Sequence, residues 1–466
     1  MKIGIVESKW VSEESHRLDC NPFLQGAAEA KRLLWDANLK KNSLLSLASE
    51  IFHAGRYKRI WLQTPEHSTR FLSSTDILQA DLQRLTRIAT SSVKVNPKLT
   101  LKKGQVLITR SGTIGRISYV SENMENLACT EDVLRVSIDE SRIGSGYLYA
   151  FFKSKFGLPI ILSGTYGAII KHIEAEHIQD MPVPRLTEVK ESKIDQLIRR
   201  SYQLRDTYQE KLNEATKLLF ERAGLQELEP HEWHLDDSDK GFVASNVSYR
   251  SLRAWNYSKR AEVLIEKLRS VNHSSIGEIC EYGRFSRGPR FKRTESDEGY
   301  GALLIGQKQG FWSRPEGKWI NTARAPTDIF VTDETILVSA QGGLGERVCF
   351  TRPIFVTGNW VKHAYSEHFL RLVSGDSKLS TAYIFAFLRS EFAFRCLRSF
   401  AIGSMQQDIH VGMLAELPIP VIDLSSIKTI EQLVREAHKS KDLADGLEDE
   451  AINLLEQSIE AAAPKH

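Results

Sequence analysis

Tyr147-Leu-Tyr-Ala-Phe-Phe-Lys-Ser154 is answered, 236 residues further on, by Tyr383-Ile-Phe-Ala-Phe-Leu-Arg-Ser390. The same offset pairs Ser163 with Ser399, Gly167 with Gly403, Ile173 with Ile409, and Met181-Pro-Val-Pro184 with Leu417-Pro-Ile-Pro420. Ten of the 38 positions from 147 to 184 are identical without a gap. A period this long, kept over this many positions, is the mark of an internal duplication.

Working outward, the offset continues downstream. Ile194, Leu197, Ile198, Ala215, Leu218 and Leu219 fall opposite Ile430, Leu433, Val434, Ala451, Leu454 and Leu455. Upstream it slips to 230, where Leu107-Ile-Thr-Arg-Ser-Gly-Thr-Ile-Gly115 matches Leu337-Val-Ser-Ala-Gln-Gly-Gly-Leu-Gly345. Six residues have therefore entered the second copy between these blocks. Nearer the start, Arg17 matches Arg253 at 236 again. Residues 40–100 and 270–335 resemble each other only faintly. Each copy thus holds a variable part, a shared strand-rich part and a long helix. A shared frame with divergent faces suits a protein that reads two different targets.

Residues 186–224 carry Ile194, Leu197, Ile198, Leu204, Tyr208, Leu212, Ala215, Leu218 and Leu219 at helical spacing, with charged and amide residues between them. Pro184 before and Gly224 after punctuate a helix. The second copy runs from Leu424 to Ala461 on Ile427, Ile430, Leu433, Val434, Leu443, Leu447, Leu454, Leu455 and Ile459. Helices of about 36 residues, roughly 55 Å long, with a narrow apolar seam need a partner. Each is expected to find the other, antiparallel, in a pseudo-twofold molecule. The alternative is that each lies on its own globular part. Seam packing falls to Ile194, Leu197, Ile198, Leu204 and Leu218 on one helix, and to Ile430, Leu433, Val434, Leu447 and Leu454 on the other. The globular parts read as mixed α and β. Strand-like runs lie at 104–108, 117–120, 133–138, 335–339, 347–350 and 369–373; helix-like runs lie at 26–35, 146–155, 258–270 and 380–397. The acidic stretch 226–240 reads as a solvated linker.

These blocks, in duplicate and in order, resemble the specificity subunits of type I restriction-modification systems. The resemblance covers nearly the whole chain. It implies an α+β fold with two tandem target-recognition domains, 1–185 and 241–422. Spacer helices at 186–225 and 423–466, with a linker at 226–240, would form an antiparallel coiled coil. It further implies recognition of a split, gapped site in double-stranded DNA. Two methyltransferase subunits would be partners, S-adenosylmethionine being their cofactor and not this chain's. Restriction or translocase subunits would be further partners. The sequence departs from the family in Pro182-Val-Pro184 and Pro418-Ile-Pro420, where a Pro-Pro dipeptide is usual.

Net charge is only +3, so any nucleic-acid surface must be local. The strongest candidate is Gly283-Arg-Phe-Ser-Arg-Gly-Pro-Arg-Phe-Lys-Arg293, with Arg284, Arg287, Arg290, Lys292 and Arg293 interleaved with aromatic residues. The first copy offers Arg56, Tyr57, Lys58 and Arg59. Gln63 in one copy and Gln307 with Lys308 in the other follow close behind. Arginine and glutamine are the side chains that pair bidentately with guanine and adenine edges. Arg110, Ser111 and Gln341 sit at expected hairpin tips. Lys171, Gln406 and Gln407 follow the repeat glycines. The alternative for all of them is a solvated face or turn chemistry.

Enzymatic signatures are weak. Asn21-Pro22-Phe23 lacks the second proline and the glycine-rich cofactor loop of an adenine methyltransferase. Glu316-Gly-Lys318 is half of a nuclease site without its aspartate. No phosphate loop of the Gly-x-x-x-x-Gly-Lys-Ser/Thr kind occurs. His231 and His234, near Glu229 and Asp236, make a poor metal site. The five cysteines are scattered, so buried reduced thiols are expected. No apolar run reaches the roughly 20 residues of a membrane span, and the N-terminus has no secretory pattern. A non-catalytic, cytoplasmic protein with no metal and no cofactor of its own is the expectation.

Overall fold

The structure, a computed structural model, describes residues 6, 8, 26–163, 172–235, 241–242, 251–280, 285–376 and 378–464. The chain folds as two compact units. Unit 1 takes residues 1–78, 85–206 and 443–466; unit 2 takes 79–84 and 207–442.

Unit 1 is built on a four-stranded antiparallel sheet. β2 (Ala48–Phe52) pairs with β9 (Val133–Ile138), β9 with β6 (Val106–Thr109), and β6 with β7 (Ile117–Tyr119). Val106-Leu-Ile-Thr109 is buried at every position, as a central strand covered on both faces should be. A second sheet joins β3 (Trp61–Leu62), β5 (Thr86–Ala89), β4 (Ser68–Leu72) and β8 (Ala128–Cys129), the last pair parallel. A two-stranded ribbon ties β1 (Lys41–Ser43) to β10 (Pro182–Pro184). The helix Ser145–Lys153 buries Tyr147, Phe151 and Phe152 in the core.

Unit 2 repeats the main sheet, the core of the second sheet and the ribbon. Its four-stranded sheet runs β12 (Ser286–Arg287), β19 (Phe369–Leu372), β15 (Thr335–Ser339), β17 (Pro353–Val356). β13 (Ala302–Ile305) pairs antiparallel with β14 (Lys318–Ile320) and parallel with β18 (Ala364–Tyr365), as β4 does with β5 and β8. The ribbon of β11 (His273–Ser275) and β22 (Pro418–Pro420) matches β1 and β10. One further sheet joins β16 (Gln341–Gly342), β21 (Gln407–Ile409) and β20 (Ala401–Gly403). The duplication read in the sequence is thus a duplication of topology.

Register locates the six-residue insertion. Ile108 pairs with Ile117, and its counterpart Val338 pairs with Pro353. The offset is 230 on the first strand and 236 on the second, so the extra residues lie in the β15–β17 loop. The strand expected at 347–350 is accordingly found at Pro353–Val356. In unit 1 the loop is tight: Gly112 and Gly115 have φ of 73° and 80°, and a Cβ on Gly115 would lie 2.6 Å from Leu162 Cδ2.

The first long helix is Glu188–Arg222 and the second Leu424–Ala462. Gly224, at φ 67°, ends the first in the left-handed conformation its sequence position announces. Each helix gives its two halves to different units. In unit 1 the pairing is antiparallel: Lys190 Nζ donates to Ser458 Oγ (3.1 Å) and Ser201 Oγ to the Ala444 carbonyl (2.8 Å). In unit 2 it is again antiparallel, with Tyr208 against His438 and Lys211 paired to Glu436. Helix pairing and packing on a globular part, posed as alternatives, occur together. Ile194 and Ile198 share a core with Tyr147, Ala451, Leu455 and Ile459, while Leu212 and Leu219 share one with Tyr383, Ile430 and Val434. Leu204 is buried too, but Leu197, Leu218, Leu433, Leu447 and Leu454 are only half-buried at the margin.

Two further expectations change. The helix expected at 380–397 breaks into Thr381–Leu388 and Glu391–Ser399, because Ser390 caps the second helix by accepting from Ala393 N (3.0 Å). The stretch 226–235 is not a solvated linker. It contains the helix Pro230–Leu235, Trp233 packs on the unit 2 core, and Glu227 accepts from Phe392 N (3.1 Å).

Candidate nucleic-acid interface

In unit 2 the chain leaves β15 and turns into β16, where it meets β21. Gln307, just after β13, brackets this turn. Its Nε2 donates to the Gln341 carbonyl (2.9 Å); its Oε1 accepts from Gln341 N (3.1 Å) and from Ser339 Oγ. The Gln341 side chain reaches Asp408 Oδ2 at 3.5 Å and accepts from Gln406 Nε2 at 3.4 Å. Arg287 donates to the other Asp408 oxygen. Three residues singled out in the sequence, Arg287, Gln341 and Gln406, therefore converge on one polar cluster organised by Asp408, and a fourth, Gln307, holds the Gln341 backbone in place. Gln341 lies in a strand and not at a hairpin tip.

Gln407 points the other way. It is buried, and its Oε1 accepts from Arg253 Nη1 (2.7 Å). Arg253 also donates to the Ala401 and Gly403 carbonyls (3.2 and 2.7 Å). Gln407 and Gln307 thus spend their amides on the fold. Arg293 pairs with Glu367 at 2.7 Å. Arg290, Lys292 and Lys308 are exposed and carry no ion pair among the described residues.

Unit 1 builds a cluster of different chemistry at matching positions. Arg110, just after β6, donates to the Glu174 carboxylate and to the Ile173 carbonyl (3.2 Å). Ser111 Oγ donates to Asp132 Oδ1 (2.7 Å), and Ser111 bridges His172 as Gln341 pairs with Asp408. His53 lies 3.5 Å from Glu174, and burial, with Arg110 beside it, lowers its pKa. Arg59 packs on the Phe71 and Tyr57 rings and pairs with Glu131 at 2.5 Å. Half-buried Tyr57 packs on the small core around Phe71. Arg56, Lys58 and Gln63 are exposed, and Trp61 beside them is 47% exposed. Lys171 and Arg284 lie outside the described residues.

Sequence reasoning missed the acceptors. Asp408, Asp132 and Glu174 hold the basic and amide groups in place. The signal was available for Asp408, which falls at the 236 offset from His172: a polar position that changes type between copies. The arrangement offers exposed cations and fixed amides around carboxylates, the groups that meet phosphates and base edges. Among the described residues no three His, Cys, Asp or Glu side chains gather as metal ligands. His234 instead lies 3.7 Å from Glu346. Cys129, Cys280 and Cys396 are buried free thiols, and Cys349 is half-buried. No described helix is long and apolar enough to cross a membrane.

No family model matches the chain, and no curated protein matches it. Among solved structures it is similar to the S subunit of a type I restriction-modification system from M. genitalium. That match has 12% identity and a TM-score of 0.37, over 92% of this chain and 97% of the other. The HsdS subunit from Thermoanaerobacter tengcongensis is similar at 12% identity and TM-score 0.27, over 91% and 96%. Scores this low carry no weight; the topology and the clusters above stand on their own.

Proposed function

We propose that the chain is the DNA-specificity subunit of a type I restriction-modification complex. It catalyses nothing itself. Unit 1 and unit 2 each read one half of a bipartite, gapped site in double-stranded DNA. Residues 1–185 and 241–422 act as the target-recognition domains, and 186–225 and 423–466 as the spacer helices. Two methyltransferase subunits, which hold the S-adenosylmethionine, are its partners; restriction or translocase subunits join them. The cytoplasm is its compartment.

One observation carries this reading. Two strand frames of matching main-sheet topology present unlike polar groups at the same places: Ser111 and His172 in one, Gln341 and Asp408 in the other, with Arg110 beside the first pair and Arg287 beside the second. A frame kept while its readout residues diverge is what recognition of two different sequences demands. Exposed Arg56, Lys58, Arg290, Lys292 and Lys308 supply the phosphate-binding cations such a reader needs. The test is a salt titration of DNA binding by the co-expressed complex. The logarithm of affinity should fall linearly with that of salt concentration, on a gapped duplex. A second reading, a duplicated protein-binding scaffold, draws on the ion pairs that occupy Arg59, Arg287 and Arg293. Absence of DNA binding at low salt would select it.

A further inference from the structure

The β15–β17 loop, six residues longer than its counterpart, carries Arg352 to the wall of a cavity that lies wholly within unit 2. Arg84, Arg389 and Lys441 line it too, together with aromatic side chains including Trp360 and Phe394. Its free space is about 70 Å³. A water needs roughly 10–15 Å³ of such space, so the cavity holds a few waters or one tetrahedral oxyanion. A nucleotide is too large.

The surroundings of the cavity are short of negative charge. Arg84, Arg352, Arg395 and Arg398 lie 4.0, 5.6, 5.1 and 4.4 Å from the Phe394 ring centroid. With Arg389 that makes five arginines. Three carboxylates answer them: Asp81 on Arg389, Glu391 shared by Arg84 and Arg395, and Glu346 on Arg395. Glu227, the remaining carboxyl near Arg84, is raised by burial to about 7 and gives no full counter-charge. Among the described residues, Arg352 and Arg398 have no carboxylate within ion-pair distance. Arg352 donates from Nη2 to the Glu346 carbonyl (3.1 Å), and its Nε is buried with no acceptor. Burial and the neighbouring arginines hold Arg84 and Arg398 down at about 10. Arg398, outside the cavity lining, donates to the Leu344, Gly345 and Val348 carbonyls. This leaves Arg352 as the cavity arginine with a buried N–H and no counter-charge, a costly arrangement without an anion.

The fold does not require all of them. At the 236 offset, Phe394, Arg395 and Arg398 correspond to Leu158, Pro159 and Leu162 in the first copy. There the same place is closed by Leu158 and Leu162 packing on the tight Gly115 turn. The frame is thus stable with leucines where unit 2 places Phe394 and Arg398. Arg352 and Arg389 are different: their counterparts Arg116 and Lys153 are also basic. Thr109 N donates to the Arg116 carbonyl as Ser339 N does to that of Arg352 (both 2.9 Å), so unit 2 adds arginines around a basic position that both copies keep.

We propose that this cavity binds one phosphate-sized oxyanion, with Arg352 as its principal donor. The phosphate belongs either to a small free anion or to the DNA backbone. The test is equilibrium dialysis of the full-length protein against labelled inorganic phosphate, ionic strength being held constant with potassium chloride. One saturable equivalent is expected. Arg352→Met should raise the half-saturation concentration at least tenfold, and Arg352→Lys should do so less. A wild type without saturable binding overturns the proposal, whether or not the variants fold. So does an Arg352→Met protein, shown folded by circular dichroism, that binds phosphate as the wild type does. In a second arm, duplex DNA is added to the phosphate-loaded protein. Displacement of the label assigns the site to a backbone phosphate, and retention assigns it to a free anion.

Discussion

Tyr147 and Tyr383 stand at matching positions, and each donates its phenol to a proline carbonyl, Pro184 at 2.7 Å and Pro420 at 2.8 Å. Both are buried, and burial raises both phenol pKa values. Phenylalanine at either place keeps the ring and strands a buried carbonyl, which costs about 1–3 kcal/mol. Chemical denaturation of Tyr147→Phe and Tyr383→Phe should show that loss in both. Interface residues divide by what they touch. Gln307→Ala removes the bracket around Gln341 and should lower the thermal midpoint. Arg290→Ala with Lys292→Ala should leave the midpoint unchanged and instead flatten the salt dependence of DNA binding, by about 0.9 in slope for each phosphate no longer neutralised. His438 gives a pH signature. Buried against Tyr208, Phe355 and Phe385, with Lys441 close by, it is lowered from 6.5 to about 3. The folded state keeps it neutral while the unfolded chain protonates it. Its contribution is therefore whole above pH 6.5 and is lost as pH falls from 6.5 towards 3, by at most about 1.4 kcal/mol per unit. His438→Phe should lose less stability than the wild type across that window.

The long helices show what the sequence could and could not tell. Their bounds came within two residues of expectation, because 3.6-residue periodicity, Pro184 and Gly224 are local signals. The contents of their interface did not, because they depend on which residues face each other. Arg205, Asp445, Glu448, Tyr149 and Tyr202 form a buried network in unit 1: Arg205 Nη2 lies 2.5 Å from Glu448 and 2.9 Å from Asp445, and Tyr149 donates to Glu448 at 2.9 Å. The positions matching Arg205 and Glu448 in unit 2 hold Lys441 and Leu212, so this ion pair is not intrinsic to the seam. Breaking the network from one side should be severe: Arg205→Met leaves Glu448, which is fully buried, unpaired, at about 3–5 kcal/mol. Arg205→Met with Glu448→Leu should recover most of that loss in the same denaturation assay. The binding clusters were legible in part for a similar reason. Basic and amide residues announce themselves by composition. Their division into Gln341 and Gln406 around Asp408 on one side, and Gln407 and Gln307 locked into the fold on the other, is set by strand direction.

At the scale of the whole chain, each long helix completes both units. Ala451, Leu455 and Ile459 at the far C-terminus belong to the core of unit 1, beside Tyr147. A chain cut after Asp442 should lose the cooperative unfolding of unit 1 and retain that of unit 2, read as two transitions by limited proteolysis. The central claim concerns what the duplicated frame is for. The most direct measurement is base-resolution methylome sequencing of cells expressing this chain with its methyltransferase, compared with cells carrying Asp408→Ala and Ser111→Ala variants. A gapped, two-part methylated motif is predicted, with Asp408→Ala relaxing one half and Ser111→Ala the other. A methylome indifferent to the chain and to both substitutions would contradict the account.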